Sequence, residues 1–337
     1  MHQRLAVGLL TTVLAAWPVA AQQGPTNPIT IKEWPVEWGG RTRDPSVDPQ
    51  GRVWFVGQQA NYVARFDPAT ERFARFEIPD GTRPHTVVVD RAGNAWYAGN
   101  GNGTIGRIDA RTEEITTYRM PEPAARDPHT IAFNSKGELW FTLQQSNMVG
   151  HLNPANGQIR LVRMETERSR PYGIVVDKND VPWFDLFGTN KLGTVDPATM
   201  QLKEITLPWD NALPRRIALT SDGNVWYGDY QRGTVGRYSP GTGQTVEFPL
   251  PSGRTSLPYA VMSDDRDVVW AVETGVQPNR FVGFDAKTQR IVSITEVPSG
   301  GGTIRHMEFD PRTGRIWFGT DRNTIGFAQV RPADLRP

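Results

Sequence analysis

The chain has 337 residues, of which 38% are hydrophobic and 22% charged, a balance typical of a globular protein that can bury a sizeable core. Lys and Arg number 37 against 36 Asp and Glu, so net charge gives no argument for nucleic acid or an anionic membrane surface as a partner. The sequence contains no cysteine, which excludes disulfides, thiolate nucleophiles and cysteine-ligated metal centres. Any chemistry must therefore use His, carboxylates, hydroxyls or a hard metal ion.

The N-terminal segment has the pattern of a secretory signal peptide. Arg4 supplies a positive charge, residues 5–19 carry none, and Val19-Ala20-Ala21 offers small residues for cleavage. We predict a signal peptide over residues 1–21 and a mature chain of residues 22–337 that forms one domain, in a periplasm or outside the cell. A membrane anchor is the alternative, but the apolar run is shorter than the roughly 20 residues that a span needs.

A tryptophan repeat organises the mature chain. Seven tryptophans are spaced 42 to 47 residues apart, and six of them are followed by Phe or Tyr. They are Trp54, Trp96, Trp140, Trp183, Trp226, Trp270 and Trp317. The other four, Trp17, Trp34, Trp38 and Trp209, lie outside the repeat.

Each repeat predicts four short strands. The first is an apolar run such as residues 130–133, and a turn with Gly137 leads to the strand of Trp140. Val149-Gly150 marks the third strand, and the fourth ends at a proline in several repeats, as before Pro121. Four antiparallel strands at a period of about 40 to 50 residues are typical of a β-propeller blade. The fold class is therefore predicted to be all-β, a seven-bladed β-propeller.

The two ends of the chain predict how the ring closes. The seventh repeat stops after its third strand, near residues 327–330, while residues 29–35 read as a fourth strand without a blade of its own. Pairing the two would complete the last blade and leave no open sheet edge in the ring. We therefore expect a closed ring and a monomer.

A fixed offset from the tryptophans indicates a candidate site. Eleven residues before each Trp, a large polar or aromatic residue precedes the inner strand: Arg43, His85, His129, Tyr172, Arg215, Tyr259 and His306. Since the inner strands of a propeller line its central channel, these side chains are predicted to converge at one end of it. The alternative is that these side chains are polar only because they line a water-filled channel, with no role in catalysis or binding.

Acidic and amide side chains follow the Trp strands at three or four residues past the Trp. Asp229, Glu273 and Asp321 are the candidate metal ligands of a lactonase-type hydrolase, and Gln144 occupies a corresponding place in the third repeat. For Asp229 an ion pair with Arg215 or Arg216 is the alternative.

Several segments resemble the blades of the streptogramin B lyase (virginiamycin B lyase) family of seven-bladed propellers. They include Pro128-His129-Thr130-Ile131-Ala132 and Asn224-Val225-Trp226-Tyr227, and the resemblance covers about residues 29 to 330. It implies an elimination, assisted by Mg²⁺, that opens a cyclic depsipeptide at its ester. In such a reaction the metal polarises the ester carbonyl and a base removes the α-proton.

The family's motif can be carried over in two registers. It consists of a Pro-His in one blade, an acid-Pro-His in the next and a Glu four residues past that blade's Trp. On neighbouring blades, the resemblance makes His85 and His129 catalytic and Asp127 a catalytic or metal-binding residue, with Gln144 where the family has Glu. By linear blade number the motif falls on Tyr259, Ile304, His306 and Asp321, which retain fewer of the required groups.

Three hypotheses follow. The first is a secreted lyase for an ester or lactone, with His85 and His129 as base and acid, Asp127 and Gln144 as metal ligands for Mg²⁺, and substrate bound by Arg43, Tyr172, Arg215, Tyr259 and His306. The second is a non-catalytic propeller that binds a ligand or a protein, and the third is the lactonase-type hydrolase. The expected partner is a small-molecule or cyclic-peptide ligand at the channel mouth, with no nucleic acid and no membrane span after signal cleavage.

Overall fold

The computed structural model describes residues 22–23 and 27–331, which contain 29 strands and one short 3₁₀ turn, Gly253–Thr255. The predicted signal peptide lies outside the described residues. Within the described part of the chain, no helix is long and apolar enough to cross a membrane.

The strands form seven sheets, in which every pair of strands is antiparallel except that of Gln22–Gln23 with Arg290–Glu296. The chain begins with β1 (Gln22–Gln23) and β2 (Thr30–Pro35). Blade 1 consists of β3 (Thr42–Val47), β4 (Val53–Gly57), β5 (Tyr62–Asp67) and β6 (Arg72–Glu77). Blade 2 consists of β7 (Pro84–Val89), β8 (Ala95–Gly99), β9 (Thr104–Ile108) and β10 (Ile115–Arg119). Blade 3 consists of β11 (Pro128–Phe133), β12 (Leu139–Leu143), β13 (Met148–Asn153) and β14 (Gln158–Arg163).

The remaining blades follow the same order. Blade 4 consists of β15 (Pro171–Val176), β16 (Pro182–Leu186), β17 (Lys191–Val195) and β18 (Leu202–Thr206). Blade 5 consists of β19 (Pro214–Leu219), β20 (Val225–Asp229), β21 (Thr234–Ser239) and β22 (Gln244–Pro249). Blade 6 consists of β23 (Pro258–Ser263), β24 (Val268–Glu273), β25 (Arg280–Asp285) and β26 (Arg290–Glu296). Blade 7 contains β27 (Met307–Asp310), β28 (Arg315–Gly319) and β29 (Thr324–Gln329).

The seventh blade is completed by the N-terminal strand, as predicted. Strand β2 pairs antiparallel with β29, from Thr30 opposite Gln329 to Pro35 opposite Thr324. Each inner strand contacts the inner strand of the next blade, and β27 contacts β3, so the sheets close into a ring. Strand β1 pairs in parallel with β26 at the outer edge of blade 6. The prediction of an all-β, seven-bladed propeller closed by the N-terminal strand is thus confirmed.

The hydrophobic core lies between neighbouring sheets. Trp54 of blade 1, for example, packs with Val87 and Tyr97 of blade 2. The seven repeat tryptophans are between 0% and 8% exposed. The glycine of the third strand has a packing reason, because a Cβ on Gly150 would lie 2.2 Å from the ring of Phe141. The Trp-aromatic pair and the later glycine are therefore one packing unit, found in blades 2, 3, 4, 5 and 7.

Candidate functional site at one end of the channel

A β-bulge at the start of the inner strand aims the offset residues at the channel. In blades 1 to 6 the pairing of the first two strands shifts register there, as between Pro128 and Ile131 in blade 3. A bulge sets two residues of one strand against one of its partner and redirects their side chains. His129 and Thr130 occupy that bulge, and His85 and Thr86 the equivalent one in blade 2.

The structure brings six of the seven offset residues of the sequence analysis together. The ring centroids of His85 and His129 are 3.5 Å apart, and those of His129 and Tyr172 are 4.1 Å apart. The hydroxyls of Tyr172 and Tyr259 are hydrogen-bonded, and the Arg215 guanidinium carbon lies 3.6 Å from the Tyr259 ring centroid. Arg43 reaches the same cluster through the groups described next. We call these six side chains, with Asp44 and Arg216, the channel-end cluster.

Asp44 and Arg216 are members of the cluster that the offset rule missed. Arg216 donates to Asp44 Oδ2 at 3.1 Å and to Thr130 Oγ1 at 3.0 Å. Asp44 also accepts from Arg43 Nε at 3.1 Å. Both Asp44 and Arg216 are 1% exposed. The signal that could have found them is an offset of ten residues from the Trp, since the bulge turns two consecutive residues towards the axis.

His306 borders the cluster, since Arg216, Asp44 and Arg43 act on its pKa. It also lines a cavity of 560 Å³ that extends towards the other end of the inner strands, where the walls are mainly apolar and include Ile217, Val261 and Phe309. Burial and the nearby Arg216 lower the pKa of His306 to about 4. The two ends of the channel therefore differ in chemistry: one is cationic and aromatic, and the other is largely apolar.

The imidazoles of the cluster are neutral at neutral pH. Burial, Arg43 and Arg216 hold the pKa of His85 well below its ordinary value. Burial, His85 and Arg216 do the same for His129. A neutral imidazole has one ring nitrogen free to accept a proton or a hydrogen bond.

Positive charge exceeds negative charge in the cluster. Burial opposes the ionisation of Asp44, but Arg43 and Arg216 hold its pKa far below the ordinary value, so it is a carboxylate. Burial raises the pKa of the adjacent Asp185 to about 8, so this carboxyl is mostly protonated at pH 7. Three guanidiniums, those of Arg43, Arg215 and Arg216, thus face one ionised carboxylate.

Two of the guanidinium nitrogens lack partners. Neither Nη2 of Arg43 nor Nε of Arg215 has a hydrogen-bond partner among residues 22–23 and 27–331, although both atoms are buried. The cationic surroundings also act on the phenols: burial opposes the effect, but Arg215 and Arg216 lower the pKa of Tyr172 below its ordinary value. The cluster is therefore arranged to stabilise negative charge.

Asp127 is engaged by its own blade. Its carboxylate accepts hydrogen bonds from Gln145 N and from the backbone and hydroxyl of Ser146, in the loop between β12 and β13. The described residues include no group of three or more His, Asp or Glu side chains that could hold a metal ion. Since Mg²⁺ favours carboxylate and water oxygens, two imidazoles flanked by guanidiniums and the uncharged Gln144 do not fit this ion. The roles predicted for Asp127 and Gln144 stay untested.

The three lactonase candidates also have partners of their own. Glu273 accepts from Ser252 N at 2.8 Å and pairs with Arg280, and Asp321 pairs with Arg305. Asp229 accepts from the backbone of Leu213, Gln231 and Arg232. The expected ion pair of Asp229 with Arg215 or Arg216 is wrong: the cation near Asp229 is Arg232, at 4.0 Å, because the two belong to one hairpin.

The described residues thus form a seven-bladed β-propeller with a polar, aromatic cluster at one end of its channel. The chain belongs to the virginiamycin B lyase family, whose profile matches residues 45–138 and 128–326. No curated protein sequence matches the chain.

Solved structures support the fold. Virginiamycin B lyase from Staphylococcus aureus is 21% identical with a TM-score of 0.80, over 89% of this chain and 99% of that one. A catalytically inactive form of the S. aureus enzyme with quinupristin is 22% identical, with the same TM-score and coverage. The extracellular domain of a hybrid two-component system from B. thetaiotaomicron is 17% identical with a TM-score of 0.68, over 93% of this chain and 44% of that one. At these identities the likeness shows the fold.

Proposed function

We propose that the protein binds a small-molecule or peptide-like ligand through a carboxylate, or another anionic oxygen, at the channel-end cluster. The observation that carries this proposal is the charge imbalance of three guanidiniums, those of the buried Arg43 and Arg216 and the partly exposed Arg215, against one carboxylate. Buried charge without a partner is costly, so an anion that pairs with Arg43 and Arg215 lowers the free energy of the site. Guanidiniums bind carboxylates with paired, charge-assisted hydrogen bonds.

The surroundings of Arg215 favour a ligand that also has an apolar, planar part. Its guanidinium carbon lies 4.3 Å from the ring centroid of Phe187 and 4.5 Å from that of Tyr230. Phe187, Arg215 and Tyr230 are partly exposed, whereas Tyr172 is buried below them. This rim gives an aromatic carboxylate a surface to stack on and a cation to pair with.

Isothermal titration with benzoate and with its uncharged counterpart benzamide tests the proposal. Benzoate is expected to bind more tightly, and Arg215→Gln to weaken it by about tenfold to a hundredfold, as for loss of a hydrogen bond to a charged group. Arg254→Gln, an exposed arginine in the 3₁₀ turn, is the matched control and should leave binding unchanged. Equal binding of benzamide, or no binding of benzoate at millimolar concentration, would refute the anion site.

A second candidate function is the eliminative opening of an ester, as in the family. It is favoured by the contact between His85 and His129, two neutral imidazoles beside guanidiniums. One imidazole would accept a proton from the carbon adjacent to the carbon that carries the alkyl oxygen of the ester. The electron pair left behind would form a carbon–carbon double bond as the ester C–O bond breaks, and the guanidiniums would neutralise the carboxylate that leaves. The product of this reaction is thus the type of anion that the cluster suits.

Incubation with quinupristin, followed by mass spectrometry, tests this candidate. Elimination opens the ring without a change of mass, whereas hydrolysis adds one water. We expect turnover that is lost in His129→Ala; assays with and without EDTA would show whether Mg²⁺ takes part. No turnover by the wild-type protein would end the lyase candidate and leave the anion site standing.

We also propose that the protein acts outside the cytoplasm. The N-terminal pattern ending at Ala21 supports this, and two similar solved structures are extracellular domains. Mass spectrometry of the protein purified from the periplasm or medium is expected to find Gln22 as its first residue. A protein that keeps residues 1–21 in the cytoplasm would contradict the proposal.

A further inference from the structure

Two tryptophans outside the repeat form a pocket on the outer wall of the ring. Trp34 lies on β2, the outermost strand of blade 7, and Trp38 lies in the connection from β2 to blade 1. With Val36 and with Phe73 of β6, they line a cavity of 420 Å³. The pocket therefore lies where the ring closes, on elements that do not contribute to the channel-end cluster.

The aromatic walls of this pocket are fixed by the core behind them. Trp34 is 9% exposed, and its ring centroid lies 4.8 Å from that of Phe66 and 5.8 Å from that of Phe327. Trp38 meets the rings of Tyr62 and Phe73 edge-on, at 5.6 and 6.1 Å. A ligand would thus find the indoles already in place and would not have to order them.

The rim of the pocket carries negative charge. Glu37 and Glu71 are exposed and both line the cavity. The hydrogen bond from Lys32 and its positive charge lower the pKa of Glu71, so this group is a carboxylate. The nearby Arg75 is paired with Glu77 at 2.8 Å and lies 6.0 Å from the Trp38 ring centroid.

The ammonium group of Lys32 lies on the Trp34 indole. Nζ of Lys32 lies 4.4 Å from the centroid of the Trp34 ring and 2.8 Å from Glu71 Oε1. This is the arrangement by which aromatic faces and carboxylates recognise cations. Both side chains of the pair are about half exposed, at 51% and 53%, and such ion pairs contribute little to stability. Lys32 can therefore leave the indole at small cost.

We propose that the Trp34–Trp38 pocket binds a small molecule through a quaternary ammonium group, which replaces the ammonium of Lys32 on the indole face. The charge of Glu37 and Glu71 selects a cation, and the two indoles and Phe73 select one that is large and apolar at its surface. A lysine ammonium is strongly hydrated, whereas a quaternary ammonium has no N–H to hydrate, so the aromatic surface favours the ligand over Lys32.

Tryptophan fluorescence and calorimetric titration with choline and with dimethylbutanol test this inference. The dimethylbutanol is 3,3-dimethylbutan-1-ol, in which a tert-butyl group replaces the trimethylammonium group of choline. The two probes therefore share a shape and differ in charge. Choline is expected to bind more tightly, and Trp38→Ala to weaken it by about threefold to thirtyfold, the range of a cation–π contact. Lys32→Gln should strengthen choline binding because it removes the competing cation.

Trp209→Ala is the matched control. Trp209 is the other described tryptophan outside the repeat. It also has a cation over its ring, because the guanidinium carbon of Arg232 lies 4.9 Å from the ring centroid. Its loss should leave choline binding unchanged, and circular dichroism should show that both variants keep the fold. The proposal is overturned if dimethylbutanol binds as tightly as choline, if both Trp variants lose binding equally, or if neither the wild type nor Lys32→Gln binds choline. None of these outcomes depends on the channel-end cluster.

Discussion

Asp44→Asn is the most direct test of the charge balance in the channel-end cluster. Asp44 accepts hydrogen bonds from Arg43 and Arg216, each at 3.1 Å, and from Thr86 at 2.8 Å. The substitution keeps the shape of the side chain and removes its charge, so buried guanidiniums lose their one ionised partner. Breaking a buried ion pair in this way costs about 3 to 5 kcal/mol. The free energy of unfolding should therefore fall by about that amount, as measured by urea denaturation.

Two controls decide how that loss is to be explained. Glu122→Gln removes a carboxylate that pairs with Arg163 at 3.4 Å on the surface, and its cost should stay below about 1 kcal/mol. The double variant Asp44→Asn with Arg216→Met should recover part of the loss, because the uncompensated charge is gone. Benzoate should stabilise Asp44→Asn more than it stabilises the wild type. A loss no larger than that of Glu122→Gln would refute the charge imbalance that carries the proposed function.

Three further predictions concern the cluster and the core. Burial raises the pKa of Asp185 from 3.8 to about 8, so between these pH values the folded state holds a proton that the unfolded state loses, and stability falls as the pH rises. In Asp185→Asn the free energy of unfolding, measured by urea denaturation at both ends of this pH range, should depend less on pH. An unchanged pH dependence would contradict the raised pKa. Gly150→Ala forces a Cβ to 2.2 Å from an aromatic ring and should cost about 1 to 3 kcal/mol, whereas Gly241→Ala has no atom within 4 Å and should be near neutral by the same assay. His129→Ala should leave folding intact, while Trp140→Ala should cost about 3 to 5 kcal/mol; equal falls in melting temperature would show that the cluster is part of the core.

The architecture could be predicted from the sequence because it repeats. A tryptophan between sheets, with an aromatic residue after it and a glycine on the next strand, is a local packing unit that most blades share. Ring closure could also be predicted. The N-terminal strand has no blade of its own and the last repeat lacks a fourth strand, so the pairing of β2 with β29 satisfies both.

The site could be predicted only in part. One offset found His85, His129 and Tyr172, because the repeat places equivalent residues around one axis. Asp44 and Arg216 escaped because a bulge turns the next residue inward as well, and strict strand alternation does not anticipate this. Motif spacing also cannot show whether the carboxylate of Asp127 faces the two imidazoles or accepts from a loop of its own blade, since that depends on the conformation of the loop after β12.

The pairing of Thr30 with Gln329 makes closure of the ring depend on a contact between strands from opposite ends of the described chain. Blade 7 cannot form until β27, β28 and β29 have been made and have met β2, and contacts between residues so far apart in sequence form slowly. A fold fastened by β2 and β29 therefore closes only after the strands between them have been made.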